Sequence, residues 1–163
     1  MSAPATGRIL VVCSGNICRS PYAAAYLQRR LAAMGVTGIE VHSAGTLGIL
    51  SSPPSPETLR LAQADGLDLS SHRSQGLSFE QVDEADIILV MEEAHRAILT
   101  ERFPECRGRV HLLSEFHPSV RAAAAAPDIF DPIGMPLTDY RRCFALLRDA
   151  ADGFQRARYP GRE

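Results

Sequence analysis

The chain contains no lysine and no tryptophan, and all 17 of its basic residues are arginine. Without lysine it cannot use a Schiff base or a phosphate-binding loop that ends in Gly-Lys-Ser/Thr. No hydrophobic run approaches the roughly 20 residues of a membrane span. The N-terminal segment lacks the basic and long apolar parts of a secretory signal. We therefore expect a cytoplasmic chain with no membrane association.

The spacing of the cysteines is not that of a disulfide framework or of a zinc site. The four cysteines are Cys13, Cys18, Cys106 and Cys143. Only the first two are close together, and no His or Cys pair elsewhere completes a four-ligand set. We therefore expect no metal and no other cofactor. The formal net charge of −2 gives no reason to expect a nucleic-acid partner. In a reducing compartment, a cysteine of interest is more often catalytic than structural.

Predicted strands and helices alternate along the 163 residues, a length that suits a single domain covering 1–163. Strands are predicted at 8–12, 39–42, 86–91 and 109–113. Helices are predicted at 20–35, 55–66, 78–85, 92–102 and 137–158, the first three capped by Ser20, Ser55 and Ser78. This order indicates a three-layer α/β fold, with a four-stranded parallel sheet covered by helices on both faces. Such sheets bind ligands at the carboxyl ends of their strands, where Cys13 lies.

The segment VVCSGNICRSP, residues 11–21, carries the strongest chemical signal. A loop of the form Cys-x5-Arg between a strand and a helix can wrap its backbone N–H groups around an anion. Arg19 adds a forked donor that matches two phosphate oxygens. The same positive field favours the thiolate of Cys13, which is then placed for in-line attack on phosphorus. Ser20 can donate to that thiolate, and Gly15 lets the backbone turn closely. A purely structural cysteine would leave Gly15 and Arg19 unexplained.

Attack by sulfur also requires an acid, because the leaving oxygen needs a proton. Asp128 and Asp131 both lie in the loop that precedes the last predicted helix. Pro132 fixes the backbone directly after Asp131. We therefore expect Asp131 to be the acid.

The segment VCSGNICRSP resembles the signature of the low-molecular-weight protein tyrosine phosphatases. HSAGT (42–46), HRSQGLS (72–78), ADIILVM (85–91) and DIFDP (128–132) follow in the family's order. The resemblance implies that Cys13 is the nucleophile, Arg19 the phosphate-binding arginine and Asp131 the general acid. It also implies supporting roles for other loop residues. The residues expected to line the phosphate site are Ser14, Gly15, Asn16, Ile17, Cys18 and Ser20.

The resemblance further implies that Asn16, Ser43 and His72 brace the loop. Cys18 matches the family's second loop cysteine, which can form a reversible disulfide with an oxidised nucleophile. The chain would then be redox-regulated through Cys13 and Cys18.

The residues that follow the Asp-Pro pair depart from the family. Aromatic side chains usually wall the pocket there, whereas this chain has Ile133 and Gly134. We expect aliphatic walls instead, made by Ile17, by Leu47 or Ile49, and by Ile133. The segment after Asp131 resembles the protein-arginine phosphatase branch, but that branch has Thr where this chain has Ile17. A branched aliphatic side chain suits a flat apolar ring better than a polar phosphoguanidinium.

The sequence thus predicts a protein-tyrosine phosphatase that forms a cysteinyl-phosphate intermediate. Its partner would be a phosphorylated protein or peptide, and it would be a monomer or a weak dimer. The alternative is a protein-arginine phosphatase. A thioredoxin-coupled arsenate reductase would need two further, closely spaced cysteines, and residues 66–84 contain none. A non-catalytic phosphate-binding module would be expected to lack Cys13 or Asp131.

Overall fold

The sheet places the predicted strands side by side in one layer. The computed structural model describes residues 6–120 and 125–161, and part of the alanine run at 122–126 lies outside them. Within these residues, four parallel strands form one sheet in the order β2-β1-β3-β4. The strands are β1 (Gly7–Cys13), β2 (Ile39–Gly45), β3 (Ile87–Val90) and β4 (Val110–Leu112).

Helices lie between the successive strands and after the last one. They are α1 (Arg19–Ala33), α2 (Pro56–Ala64), α3 (Phe79–Glu84), α4 (Glu93–Arg102) and α5 (Leu137–Arg158). Short 3-10 helices lie at Pro104–Arg109 and Leu113–Phe116. Among the described helices, none combines the length and the apolar character needed to cross a membrane.

Successive side chains of β1 point into two different cores. Ile9, Val11 and Cys13 pack in a core that includes residues of α1, α2 and α5. Leu10 and Val12 pack in a second core that includes residues of α3 and α4. Side chains alternate between the faces of a strand, so a continuous apolar run is buried on both sides. The predicted three-layer architecture is confirmed.

Two of the predicted helix caps are confirmed, and one is wrong. The Ser55 and Ser78 hydroxyls accept the backbone N–H groups of Thr58 and Gln81 at 3.3 and 3.2 Å. Ser20, in contrast, is not a cap, because α1 begins at Arg19 with Cys18 at its N-cap position. The Ser20 hydroxyl lies instead 3.0 Å from Cys13 Sγ.

Strand β2 is longer than the sequence pattern predicts. The prediction stopped at 42, but the strand continues to Gly45. It continues because β1 pairs with it in parallel as far as the Cys13–Gly45 register. This extension brings Ser43 alongside the loop that follows β1.

Candidate active site

The loop between β1 and α1 holds the predicted nucleophile at its floor. Cys13 ends β1, and only 2% of its surface is exposed. Its Sγ lies 3.0 Å from Ser20 Oγ and accepts the Asn16 backbone N–H at 3.3 Å. The loop leads from Cys13 into the N-terminus of α1, which begins at Arg19.

Asn16 holds the loop in an unusual conformation. Its φ of 59° is left-handed, which is costly for a residue with a side chain. The buried side-chain amide donates to Ser20 Oγ at 2.7 Å and to Ser43 Oγ at 2.9 Å. Its oxygen accepts the Gln75 backbone N–H at 3.0 Å, while the Asn16 carbonyl accepts from His72 Nε2 at 2.8 Å. These bonds offset the cost of the left-handed backbone.

The end of β2 packs directly on the same loop. A Cβ atom on Gly45 would lie 2.6 Å from the Ser14 carbonyl oxygen, so only glycine fits there. Beyond it, the Thr46 and Leu47 N–H groups donate to the carbonyls of Cys13 and Ser14, each at 3.0 Å. The segment after β2 is therefore fixed against the loop and carries Leu47 to the rim of the site.

Arg19 is buried and held by charged and polar partners on two sides. Its side chain is 1% exposed. Nη1 donates to Glu92 Oε2 and to the Ile129 carbonyl, both at 2.7 Å. Nη2 faces the site, 3.4 Å from Ser14 Oγ and 3.5 Å from Asp131 Oδ2. The Glu92 carboxylate compensates a guanidinium that would otherwise be costly to bury.

The two aspartates that compete for the acid role have different surroundings. Asp131 lines the pocket above Cys13, and its Oδ1 accepts the Ile133 N–H at 3.1 Å. The exposed Asp128 instead accepts the Glu93 backbone N–H at 2.9 Å, at the first turn of α4. Asp128 therefore anchors a helix start, and Asp131 lines the same pocket as Cys13.

Neighbouring elements anchor the loop that carries Asp131. The Ile129 N–H donates to the Met91 carbonyl at 2.9 Å, and the Cys143 thiol donates to the Phe130 carbonyl at 3.4 Å. Burial raises the pKa of Cys143 to about 12, so this group stays a protonated donor. The Arg142 guanidinium lies 4.8 Å from the centre of the Phe130 ring.

These elements enclose a pocket of about 130 Å³. The pocket has a polar floor and an aliphatic rim, and the rim is well exposed, with Leu47 at 68% and Ile133 at 48%. The aliphatic side chains expected from the sequence line this pocket, and both Leu47 and Ile49 contribute to it. The lining residues are Cys13, Ser14, Gly15, Ile17, Cys18, Arg19, Leu47, Ile49, Asp131 and Ile133. Asn16, Ser20, Ser43 and His72 lie behind them as hydrogen-bonding supports.

The other cysteines have separate environments. The described residues include all four cysteines, and each is a free thiol. Cys18 Sγ lies 3.4 Å from Ser55 Oγ and 3.5 Å from Tyr140 Oη, and burial raises its pKa. Cys106 packs in the core on the face of the sheet opposite Cys13. A disulfide relay that runs from Cys13 to Cys106 therefore has no support in this geometry.

Sequence reasoning missed Glu92, His95 and Gln75. His95 Nε2 lies 2.9 Å from Ser14 Oγ, and Gln75 Nε2 donates to the Ser43 carbonyl at 2.9 Å. The nearest signal was the acidic start of the fourth helix after a buried strand, a place where parallel sheets bind ligands. In residues 6–120 and 125–161, no group of three or more His, Cys, Asp or Glu side chains is placed to hold a metal ion.

Comparison with known proteins agrees with this geometry. The model of the low molecular weight phosphotyrosine protein phosphatase family matches residues 8–158. The chain belongs to this family. Among similar phosphatases, a protein-arginine-phosphatase of Geobacillus stearothermophilus is 37% identical over 82% of this chain and 84% of its own length. A probable low molecular weight protein-tyrosine-phosphatase, EpsP of Ralstonia nicotianae, is 35% identical over 90% and 92%.

The fold agrees with the family as well. The crystal structure of a low molecular weight protein tyrosine phosphatase from T. tengcongensis superposes with a TM-score of 0.84 and is 31% identical. The match covers 93% of this chain and 99% of that one. The predicted fold and the predicted phosphoric monoester hydrolase class are confirmed.

Proposed function

We propose that this phosphatase hydrolyses phosphotyrosine in proteins through a cysteinyl-phosphate intermediate. The observation that carries the proposal is the convergence of Cys13, Arg19 and Asp131 on one pocket with an aliphatic rim. A thiol at the floor, a guanidinium beside it and a carboxyl above it are the groups that this chemistry requires.

In the first step, the Cys13 thiolate attacks phosphorus. A sulfur–phosphorus bond forms as the bond to the phenolic oxygen breaks, and Asp131 gives its proton to that oxygen. Arg19 and the loop N–H groups hold the other phosphoryl oxygens and balance their charge. The Ser20 hydroxyl, 3.0 Å from Cys13 Sγ, stabilises the thiolate before attack and as a leaving group.

In the second step, water attacks the phosphorus of the intermediate. Asp131, now a carboxylate, accepts a proton from that water. The sulfur–phosphorus bond breaks, inorganic phosphate is released, and Cys13 returns as a thiolate. Of the two candidate acids, the position of Asp131 supports this role, because Asp128 is bonded to the start of α4.

The aliphatic rim supports a phenolic substrate over a phosphoguanidinium. Ile17, Leu47 and Ile133 offer apolar contact area to a flat ring and no acceptor for the N–H groups of a guanidinium. The second candidate is phosphoarginine, which is favoured by the similarity to the Geobacillus protein-arginine-phosphatase.

A paired-substrate assay distinguishes the two candidates. Peptides of one sequence, carrying either phosphotyrosine or phosphoarginine, are incubated with purified protein, and phosphate release is followed. We expect a higher kcat/KM on phosphotyrosine. Ile17→Thr should lower the preference, whereas Ile49→Thr, a matched change at the rim, should change it less. A wild-type preference for phosphoarginine would reject the substrate assignment and leave the phosphatase assignment intact.

The nucleophile is tested in the same assay. Cys13→Ser should lose turnover because a serine hydroxyl is not ionised at neutral pH. It should still bind vanadate, because the loop N–H groups and Arg19 remain. Near-normal turnover by this variant would reject the thiol mechanism.

We also propose a cytoplasmic protein that acts as a monomer or a weak dimer. Four free thiols, one of which must stay reduced to act, support a reducing compartment. Cell fractionation tests the location, and sedimentation of the full chain at several concentrations tests the assembly state. A stable dimer at low micromolar concentration would reject the second part.

A further inference from the structure

His95 connects the start of α4 to the phosphate loop. The ring is 2% exposed. Its Nδ1 accepts the Glu92 backbone N–H at 3.1 Å, so Nδ1 cannot carry a hydrogen. A neutral ring must then carry its hydrogen on Nε2. Burial, and next the nearby charge of Arg19, lower the pKa of His95, which keeps the ring neutral. The charged groups that act on it are Arg19, Glu92, Asp128 and Asp131.

This tautomer determines how Ser14 is hydrogen-bonded. His95 Nε2–H lies 2.9 Å from Ser14 Oγ and donates to it. Arg19 Nη2 lies 3.4 Å from the same oxygen and approaches it as a second donor. Neither partner can accept the Ser14 hydrogen, because an arginine has no acceptor and Nε2 already carries a hydrogen. The hydroxyl hydrogen is therefore free to point into the pocket that Ser14 lines.

We propose that His95 is a positioning residue that directs the Ser14 hydroxyl toward the phosphoryl group, as a side-chain donor in addition to Arg19 and the loop N–H groups. The inference rests on the proposed function, since it names a further donor for the same phosphoryl group. The Ser14 hydroxyl lies on the α4 side of the loop, because it contacts His95 of α4. His95 itself touches no substrate and acts through Ser14.

A double-mutant cycle tests this connection. The enzymes compared are wild type, Ser14→Ala, His95→Leu and the double variant, assayed on a phosphotyrosyl peptide. A hydrogen bond to a charged oxygen corresponds to about tenfold in kcat/KM, so we expect about that loss for Ser14→Ala. If His95 acts through Ser14, adding His95→Leu to Ser14→Ala should cost less than twofold more. Losses that multiply fully would overturn the proposal.

A conservative variant separates positioning from packing. The amide of His95→Gln offers one acceptor and one donor, so it should retain most of the activity that His95→Leu loses. Equal losses in both variants, with unchanged unfolding midpoints, would count against the proposal.

The tautomer is read on the wild-type protein without substrate. Nitrogen-15 NMR of the wild-type imidazole should show the hydrogen on Nε2 at pH 7. A hydrogen on Nδ1 would overturn the inference even if the variants failed to fold, and would leave the proposed function standing. A wild-type protein that releases no phosphate from either phosphopeptide would reject the proposed function, and the NMR result would still decide the tautomer.

Discussion

Replacing Asn16 tests whether its side chain and its left-handed backbone both stabilise the phosphate loop. Asn16→Gly keeps the backbone conformation and removes the three side-chain bonds to Ser20, Ser43 and Gln75. Buried hydrogen bonds contribute about 1 kcal/mol each, so the free energy of unfolding should fall by about 3 kcal/mol.

Asn16→Ala should be less stable than Asn16→Gly. A left-handed residue with a Cβ atom costs about 1–2 kcal/mol, and the lower chain entropy of unfolded alanine returns about half of that. A net difference of about 1 kcal/mol is expected. Ser51 has a φ of 60° on the exposed surface, so Ser51→Gly and Ser51→Ala form a matched pair that measures the backbone difference outside the buried network.

Urea unfolding of the wild type and the four variants measures these free energies, provided that the dependence of the unfolding free energy on urea concentration is the same in all five proteins. The kcat/KM on a phosphotyrosyl peptide should fall in both Asn16 variants, because Ser20 loses the donor that directs it at Cys13. An Asn16→Gly variant that unfolds within about 0.5 kcal/mol of the wild type would show that the side-chain bonds do not stabilise the loop. An alanine variant more stable than the glycine variant would show that the left-handed backbone is not retained.

Three further predictions concern the acid, the second loop cysteine and pH. Asp131→Asn should lower kcat by about 10²–10⁴-fold on a phosphotyrosyl peptide and by less on an activated aryl phosphate. The control Asp128→Asn should lower the unfolding midpoint, and its kcat should not depend on the leaving group in this way. The reverse pattern would assign the acid role to Asp128. Cys18→Ser should leave turnover largely intact but make peroxide inactivation harder to reverse. Mass spectrometry of the peroxide-treated wild type that finds Cys13 overoxidised, with no Cys13–Cys18 disulfide, would contradict this prediction. Burial lowers the pKa of His95 in the folded state below its ordinary value of 6.5. Below pH 6.5 the unfolded chain therefore binds more protons than the folded one, and the free energy of unfolding should fall as the pH drops. Urea titrations should show a flatter dependence for His95→Gln, and equal slopes would show that this group is not responsible.

The parts of the site that lie close together in sequence could be predicted, and the parts joined by tertiary contacts could not. Cys13 and Arg19 flank one short strand-to-helix loop, so their functional groups could be expected to converge. The long apolar stripe of α5 is likewise a local pattern, and its predicted range, 137–158, matches Leu137–Arg158. Glu92 reaches Arg19 across 73 residues of sequence, so no spacing rule indicates their contact.

The wrong helix cap has the same origin. A serine before a proline and an apolar helix is a sound local signal for an N-cap. Ser20 fails as a cap because its hydroxyl finds Cys13 and Asn16 in the folded loop. Similarly, β2 runs to Gly45 because β1 supplies a partner there, although Ser43 and Gly45 have no strand pattern of their own. Tertiary partners decide such cases, and they cluster where the chemistry takes place.

The bonds that anchor the Asp131 loop have a kinetic consequence. Arg19, the Met91 carbonyl and Cys143 hold residues 129 and 130 on three sides. We therefore expect Asp131, the proposed proton donor, to move with the sheet and α5, without a flap that closes in each catalytic cycle. Turnover should then be limited by bond making and breaking at phosphorus, and kcat should not depend on the viscosity of the medium.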